Sequence, residues 1–228
     1  MSDLLVAPCD GRAARYAATH WHYSKRLPTG RVARYGAWED DRFIGAVVFA
    51  WGANPKVYRR FGLTMYEGAE LVRVALRDHE HPVSQIVRSA VRQLKAASPG
   101  LRLLVSYADP RFGHHGGIYQ AMSWTYIGQT GPQDYWQLRS GRIVHTRTYT
   151  SLQFGRPTPP KPPGTTRVKL PPKHKYVLGL DRAMRRQLAT LAQPYPQPCG
   201  RSLDGETPDI PPGGAGSTPA DRSMEEVT

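Results

Sequence analysis

Four polar side chains in two short stretches have the types and spacing to share one reaction chamber. His22 and Tyr23 adjoin in WHYS at 21–24, and Asp109 and Tyr119 stand within YADPRFGHHGGIYQ at 107–120. An imidazole gives or takes protons near neutrality, a phenol donates to developing negative charge, and a carboxylate serves as a base. Ser106 beside the second stretch, and Arg73 in ELVRVAL at 70–76, are candidates for holding a donor or cofactor in the same cleft. The mixed nitrogen and oxygen set of His22, Tyr23 and Asp109 also suits iron or another divalent metal, although no HExxH pattern is present. Asp109 has a second reading, in which its oxygens cap the turn at 113–117. His20 and His22, two apart, point to different helix faces, so at most one enters a site, and His22, next to the loop, is preferred.

These residues need rigid elements behind them. Leu101, Leu103, Leu104 and Val105 suit a strand buried on both faces, stopped by Asp109-Pro110 and Gly113, with Gly116-Gly117 freeing the backbone before a short helix at 117–123. Asp10 can cap a helix running through His20, with Arg12, Ala13, Tyr16, Ala17 and His20 on one side. Strands at 33–38 and 42–51 meet across Glu39-Asp40-Asp41 as a hairpin. Residues 51–68 carry Gly, Asn, Pro and aromatics, Phe61 and Tyr66 among them, and predict a long functional loop with these rings exposed. In 70–76 the charges Glu70 and Arg73 interrupt an apolar strand on opposite faces, with Arg73 turned to the cleft. Ile86, Val87, Ala90, Val91, Leu94 and Ala97 form one helical stripe over 84–97, so 70–107 reads as a strand, helix, strand crossover. Late strands follow at 124–128 and 135–139, and the class is mixed α/β.

The chain of 228 residues is 39% hydrophobic, enough for one core of ordinary domain size plus appendages. Its net charge of +13 understates its basic character, because residues 201–228 are acidic and leave 29 basic against 12 acidic residues, a net +17, in residues 1–200. Clustered Lys and Arg attract phosphates by releasing counterions, so nucleic acid is the leading partner. Cys9 and Cys199 are the only cysteines, without CxxC spacing, which supports neither a disulfide framework nor a thiolate zinc site and fits a reducing cytoplasm. No apolar run approaches the ~20 residues that span a bilayer, so no membrane role is expected. Prolines crowd among basic residues from 156 to 175, a segment expected to be extended, unable to form a packed core and drawn to phosphate, ahead of a basic helix at 180–191. The expected divisions are a catalytic domain at 1–155, a basic Pro-rich extension at 156–199 and a disordered acidic tail at 200–228. Lys25 and Arg26, with Lys161, Arg167, Lys169, Lys173, Lys175, Arg185 and Arg186, are the candidate DNA contacts.

Taken together, WHYSKRLPTG at 21–30, FIGAVVFAWGANP at 43–55, ELVRVAL at 70–76, LRLLVSYADPRFGHHGGIYQAMSW at 101–124 and KHKYVLGLDRAMRRQLA at 173–189 resemble the Mom DNA-modification family of Mu-like phages. The resemblance implies a GNAT-like fold, a mixed and mostly antiparallel central sheet flanked by helices, here with a basic Pro-rich C-terminal extension. It implies conversion of adenine N6 in DNA to a carbamoylmethyl (glycinamide) derivative that blocks restriction enzymes, in the cytoplasm of the host cell. It places His22, Tyr23, Asp109 and Tyr119 at functional positions and associates iron with them. The usual Gly-rich pyrophosphate loop is replaced by Arg77-Asp78-His79-Glu80-His81-Pro82, a poor phosphate cradle, which puts acyl-coenzyme A in doubt and leaves an acyl or aminoacyl donor of another kind. An acyl-coenzyme A-dependent N-acyltransferase on another amine, and a non-catalytic DNA-binding protein, are the alternatives. A homodimer is one open oligomeric state.

Overall fold

The apolar runs and helical stripes fold into β1 (Leu4–Pro8), α1 (Gly11–Trp21), β2 (Val32–Glu39), β3 (Arg42–Ala50), α2 (Pro55–Arg59), β4 (Gly68–Leu76), α3 (Val83–Ala97) and β5 (Leu103–Ala108). Then come α4 (Gly117–Gln120), β6 (Thr125–Gln129), β7 (Gln133–Gln137), β8 (Ile143–His145), β9 (Thr166–Leu170), β10 (His174–Gly179) and α5 (Arg182–Ala189). The structure, a computed structural model, describes residues 2–28, 30–52, 55–149 and 159–197. The segment 150–158 and the expected acidic tail at 200–228 lie outside the described residues.

Seven strands form one sheet in the order β1-β2-β3-β4-β5-β10-β6, and β8-β7-β9 form a smaller one. Among the described strands only β4 and β5 pair in parallel; their neighbours run antiparallel. The mixed, mostly antiparallel expectation holds. Helix α3 lays Ile86, Val87, Ala90 and Leu94 on one sheet face, against Ile44, Val47, Phe49 and Leu104. Each of these fully buried Val, Leu, Ile and Phe side chains contributes about 1.5–3 kcal/mol. On the other face Met184 and Leu188 of α5 cover Leu103, Val105 and Val177.

The Asp10 carboxylate caps α1 by accepting from the Ala13 N–H at 2.7 Å, as predicted. The buried side of that helix differs from the expected stripe: Ala14, Ala17 and Ala18 face the sheet, while Arg12 and Tyr16 are exposed. The methyls of Ala14 and Ala17 meet Ala46, Val48 and Ala75, and small residues on both sides bring the backbones close.

Two further expectations are corrected. The segment 51–68 holds α2, and Tyr58, Phe61 and Leu63 are buried beneath α5; of the two rings expected outside, Tyr66 is exposed and Phe61 is not. Gly68 permits this, because a Cβ there would come within 2.1 Å of the Tyr58 ring. The Pro-rich extension is not an appendage either. Its first run of prolines ends at Pro172, and β10 follows at once as an interior strand, hydrogen-bonded to β5 on one side and β6 on the other. The alternating apolar residues Tyr176 and Val177 supply both cores. A chain ended at residue 155 therefore uncovers Leu103, Val105 and Ile127. It is expected to lose its cooperative thermal transition by circular dichroism; a sharp transition near that of the full chain would show that the sheet closes without β10.

Candidate active site

β4 and β5 pair for three residues, Gly68 with Leu103, Ala69 with Leu104 and Glu70 with Val105, and then separate. Beyond that point β4 stays on β3 as far as Leu76 and β5 stays on β10 as far as Ala108. The gap is a cavity of about 560 Å³, walled by Leu71, Val72, Arg73 and Val74, by Tyr107 and Ala108, and by residues 113–119. His22 and Tyr23, which follow the end of α1, close it from one side. Ser106 sits where the strands part, its Oγ donating to the Leu71 carbonyl at 2.8 Å and lying 2.7 Å from the Tyr119 hydroxyl. Gly116, at φ +93°, lets the loop lie on Tyr176 of β10, whose hydroxyl donates to the His115 carbonyl at 2.6 Å; a Cβ there would meet that ring at 2.3 Å.

The structure brings His22, Tyr23, Arg73 and Tyr119 to this cavity, with Ser106 behind Tyr119. The His22 pKa is lowered to about 4 by burial, with Arg73, His114 and Lys25 adding repulsion. Its Nδ1 accepts the Ser24 backbone N–H at 3.0 Å, so the neutral ring carries its proton on Nε2 and acts as a donor. Burial likewise pushes Tyr119 up to about 12, which keeps its phenol protonated. Arg73 donates from Nε to the Arg26 carbonyl at 2.9 Å and so ties β4 to the WHYSKR segment.

Asp109 departs from its expected role. It is 1% exposed and does not line the cavity. Its Oδ1 accepts from Arg111 Nε at 3.0 Å, and its Oδ2 from another Arg111 nitrogen at 2.7 Å and from Lys173 Nζ at 3.1 Å. Burial alone raises its pKa, but Arg111 and Lys173 outweigh burial and hold it below the usual carboxylate value. A carboxylate so neutralised is a poor base and a poor metal ligand. With the Nδ1 of His22 also engaged, His22, Tyr23 and Asp109 do not fit an iron centre, and no cluster of three His, Cys, Asp or Glu side chains suited to a metal stands among the described residues.

Sequence reasoning passed over Glu70. A register shift in β4 places Glu70 opposite Ala50 and Arg73 opposite Val48, two positions on one face of β3, so Glu70 and Arg73 share a face instead of opposing. Glu70 marks the position where β4 and β5 last pair; its side chain is half-buried, does not line the cavity, and has no hydrogen bond or ion pair among the described residues. Burial pushes it up to about 7, against the pull of Arg73 and Lys173. Its charge in turn raises Tyr107 and Tyr119. The one signal in the sequence was a carboxylate inside an apolar strand.

Another carboxylate governs the loop at 77–82. Glu39, buried, accepts the Glu80 N–H at 3.0 Å and the His81 N–H at 2.8 Å. Burial raises its pKa, but these amides and the His81 ring override it to about 2. The amides ahead of α3 are thus occupied by an internal anion. The nine basic candidates are dispersed. Lys173 is tied to Asp109, and Lys25 donates to the His20 carbonyl at 2.9 Å near the cavity, where Arg26 lies too. Lys161 lies over Trp136, Arg167 pairs with Asp134 and Lys169 is exposed, all around the small sheet. Lys175 is half-buried on β10, and Arg185 and Arg186 are exposed on α5.

A model of the Mom protein family matches residues 3–197. The chain is 25% identical over 194 residues to the protein named methylcarbamoylase mom of Escherichia phage Mu, covering 77% of this chain and 76% of that one. Among solved structures it is similar to FeeM, an N-acyl amino acid synthase from uncultured soil microbes, at 12% identity and TM-score 0.46 over 84% of this chain and 95% of that one. It is also similar to an acetyltransferase from Thermus thermophilus, at 15% identity and TM-score 0.41 over 78% and 97%.

Asp109→Asn tests the structural role of that carboxylate. Because its folded-state pKa is lowered, its stabilisation is complete above the unfolded value near ~3.9 and is lost as pH falls through the folded value. Both cations keep some solvent contact, so the expected loss at pH 7 is up to about 3 kcal/mol. In urea titrations the difference from the unaltered protein should shrink below about pH 4; a difference independent of pH would contradict the ion-pair account.

Proposed function

The chain belongs to the Mom protein family, and we propose that it modifies adenine N6 in DNA to the carbamoylmethyl derivative, protecting phage DNA from restriction in the host cytoplasm. The observation that carries this reading is the parted-strand cavity, lined by His22, whose neutral ring is a donor, and by Tyr119, with the Glu70 carboxylate, poised near neutrality, beside the lining where the two strands last pair. The amine N6 is a weak nucleophile, since its lone pair is delocalised into the purine ring, and it lies on the pairing edge of the duplex. The enzyme must extrude the base and remove a proton.

In our reading the base enters from the α1 side, between Tyr23 and Arg73, and its N6 reaches Glu70. The donor occupies the cavity against Tyr119. N6 forms its bond to the methylene carbon while the donor's leaving group departs with the electron pair, Glu70 takes the N6 proton, and the His22 Nε2–H hydrogen-bonds the departing group. In the other route, glycyl transfer, N6 first bonds the carbonyl carbon as the bond from that carbon to its carrier breaks and the carrier departs with the electron pair; that product is an isomer of the carbamoylmethyl base and must rearrange. Glu70 removes the same proton in either case. Glu39, seated on the amides ahead of α3, opposes a pyrophosphate there, so the donor is better sought among carriers without one.

Nucleoside mass spectrometry on DNA from cells expressing the chain should show deoxyadenosine carrying one carbamoylmethyl group in place of one hydrogen; unaltered nucleosides would refute the reading. Glu70→Gln should lower the rate by about 10²–10⁴-fold, the range for a lost general base. Since Glu70 acts as its carboxylate, activity should rise with pH through about 7 and fade below it. A retained rate in Glu70→Gln, with the same pH profile, would exclude it as the base.

A further inference from the structure

Three rings form a stack that runs from the cavity to the surface. The buried His22 ring lies 4.2 Å from Tyr23, and Tyr23 lies 4.2 Å from Phe112 with the planes at 28°. The outer two are 45% and 41% exposed. Tyr23 lines the cavity; Phe112 does not, and no step above uses it. Single exposed apolar residues are ordinary, but here two stacked rings stand open at the mouth of a site.

The tip that carries Phe112 is held firmly. It ends a 3-10 turn, Pro110–Phe112, whose first amide is fixed by Asp109: the Arg111 N–H donates to Oδ1 at 3.2 Å. Gly113, at φ +71°, then reverses the chain. The surroundings are cationic, with the Arg111 guanidinium 5.3 Å from the Phe112 centroid and Arg73 and Lys173 nearby, against the charges of Asp109 and Glu70. A flat apolar ring, braced from behind by a second ring and flanked by net positive charge, matches the gap left in a base stack between two phosphate backbones.

We propose that Phe112 is the wedge that enters the duplex in place of the extruded adenine, with Tyr23 as the surface along which that base passes toward the cavity. This rests on the base-modification reading above. A side chain inserted at a base step offsets the stacking lost on extrusion and holds the opened state long enough for chemistry.

The test compares DNA from cells expressing the unaltered chain, Phe112→Ala and Phe112→Trp at matched protein levels, with thermal melts to verify folding. Modified deoxyadenosine should fall between about fivefold and about a hundredfold in Phe112→Ala, the range for one lost stacking partner, and Phe112→Trp should restore it. In parallel, the purified proteins are mixed with duplexes in which 2-aminopurine replaces adenine. The unaltered chain should raise its fluorescence by unstacking it, and Phe112→Ala should bind the duplex without that rise. Full modification by Phe112→Ala, or a retained fluorescence rise, overturns the wedge while leaving the enzymatic reading intact. Unaltered nucleosides from the unaltered chain would instead defeat the enzymatic reading, and the wedge with it.

Discussion

The separation of β4 from β5 after Glu70 and Val105 is the constraint on which the site depends. Strands that part leave main-chain groups facing a gap, and unpaired buried amides and carbonyls are expensive. The chain meets this in two ways. β3 and β10 keep the outer edges of the parting strands paired, and the Ser106 hydroxyl takes up the Leu71 carbonyl at the fork. What remains unpaired opens on a cavity that a substrate can fill. The same fork fixes Tyr119, because the side chain that satisfies Leu71 also meets the phenol. A sheet flaw elsewhere would be a liability; here it is the place where reactants fit.

Local signals made much of this legible. The stripe of Ile86, Val87, Ala90 and Leu94, the acidic turn after Trp38 and the apolar run ahead of Asp109 each named an element that formed. The failures have a common physical cause, namely partners distant in sequence. Phe61 reads as exposed until α5 supplies its cover, and β10 hides behind prolines because its pairing with β5 spans some seventy positions of chain. Glu70 and Arg73 read as opposed because alternation assumes an unbroken register, and one inserted residue cancels it. The cavity residues were visible by type; the half-buried carboxylate beside them was not.

Charge says less about place than about partner. The excess of cations draws the whole molecule toward a polyanion, yet several of the basic side chains expected on phosphates are engaged within the protein: Lys173 with Asp109, Arg167 with Asp134, Lys161 over Trp136. Those pairings leave a long-range field but restrict which cations can reach a backbone. Counterion release depends on contact, so composition alone overstates the number of phosphates gripped. The arrangement favours attraction spread over the surface and specificity concentrated at one mouth.

Three carboxylates divide the labour of this fold by how many donors reach them. Glu39 is met by two amides and an imidazole, and Asp109 by a guanidinium and an ammonium; in both, hydrogen bonds to the charged form outweigh burial. They brace loops, and a proton would only break what they hold. Glu70 shares the burial but lacks a partner, feeling Arg73 and Lys173 only through space, so its desolvation prevails and its affinity for a proton rises to the working range of a base. Had β4 kept regular alternation, Arg73 would have left this face, and desolvation, opposed by Lys173 alone, would have carried Glu70 higher still. The register shift thus does more than re-aim a side chain: it brings a cation to bear on how acidic Glu70 is.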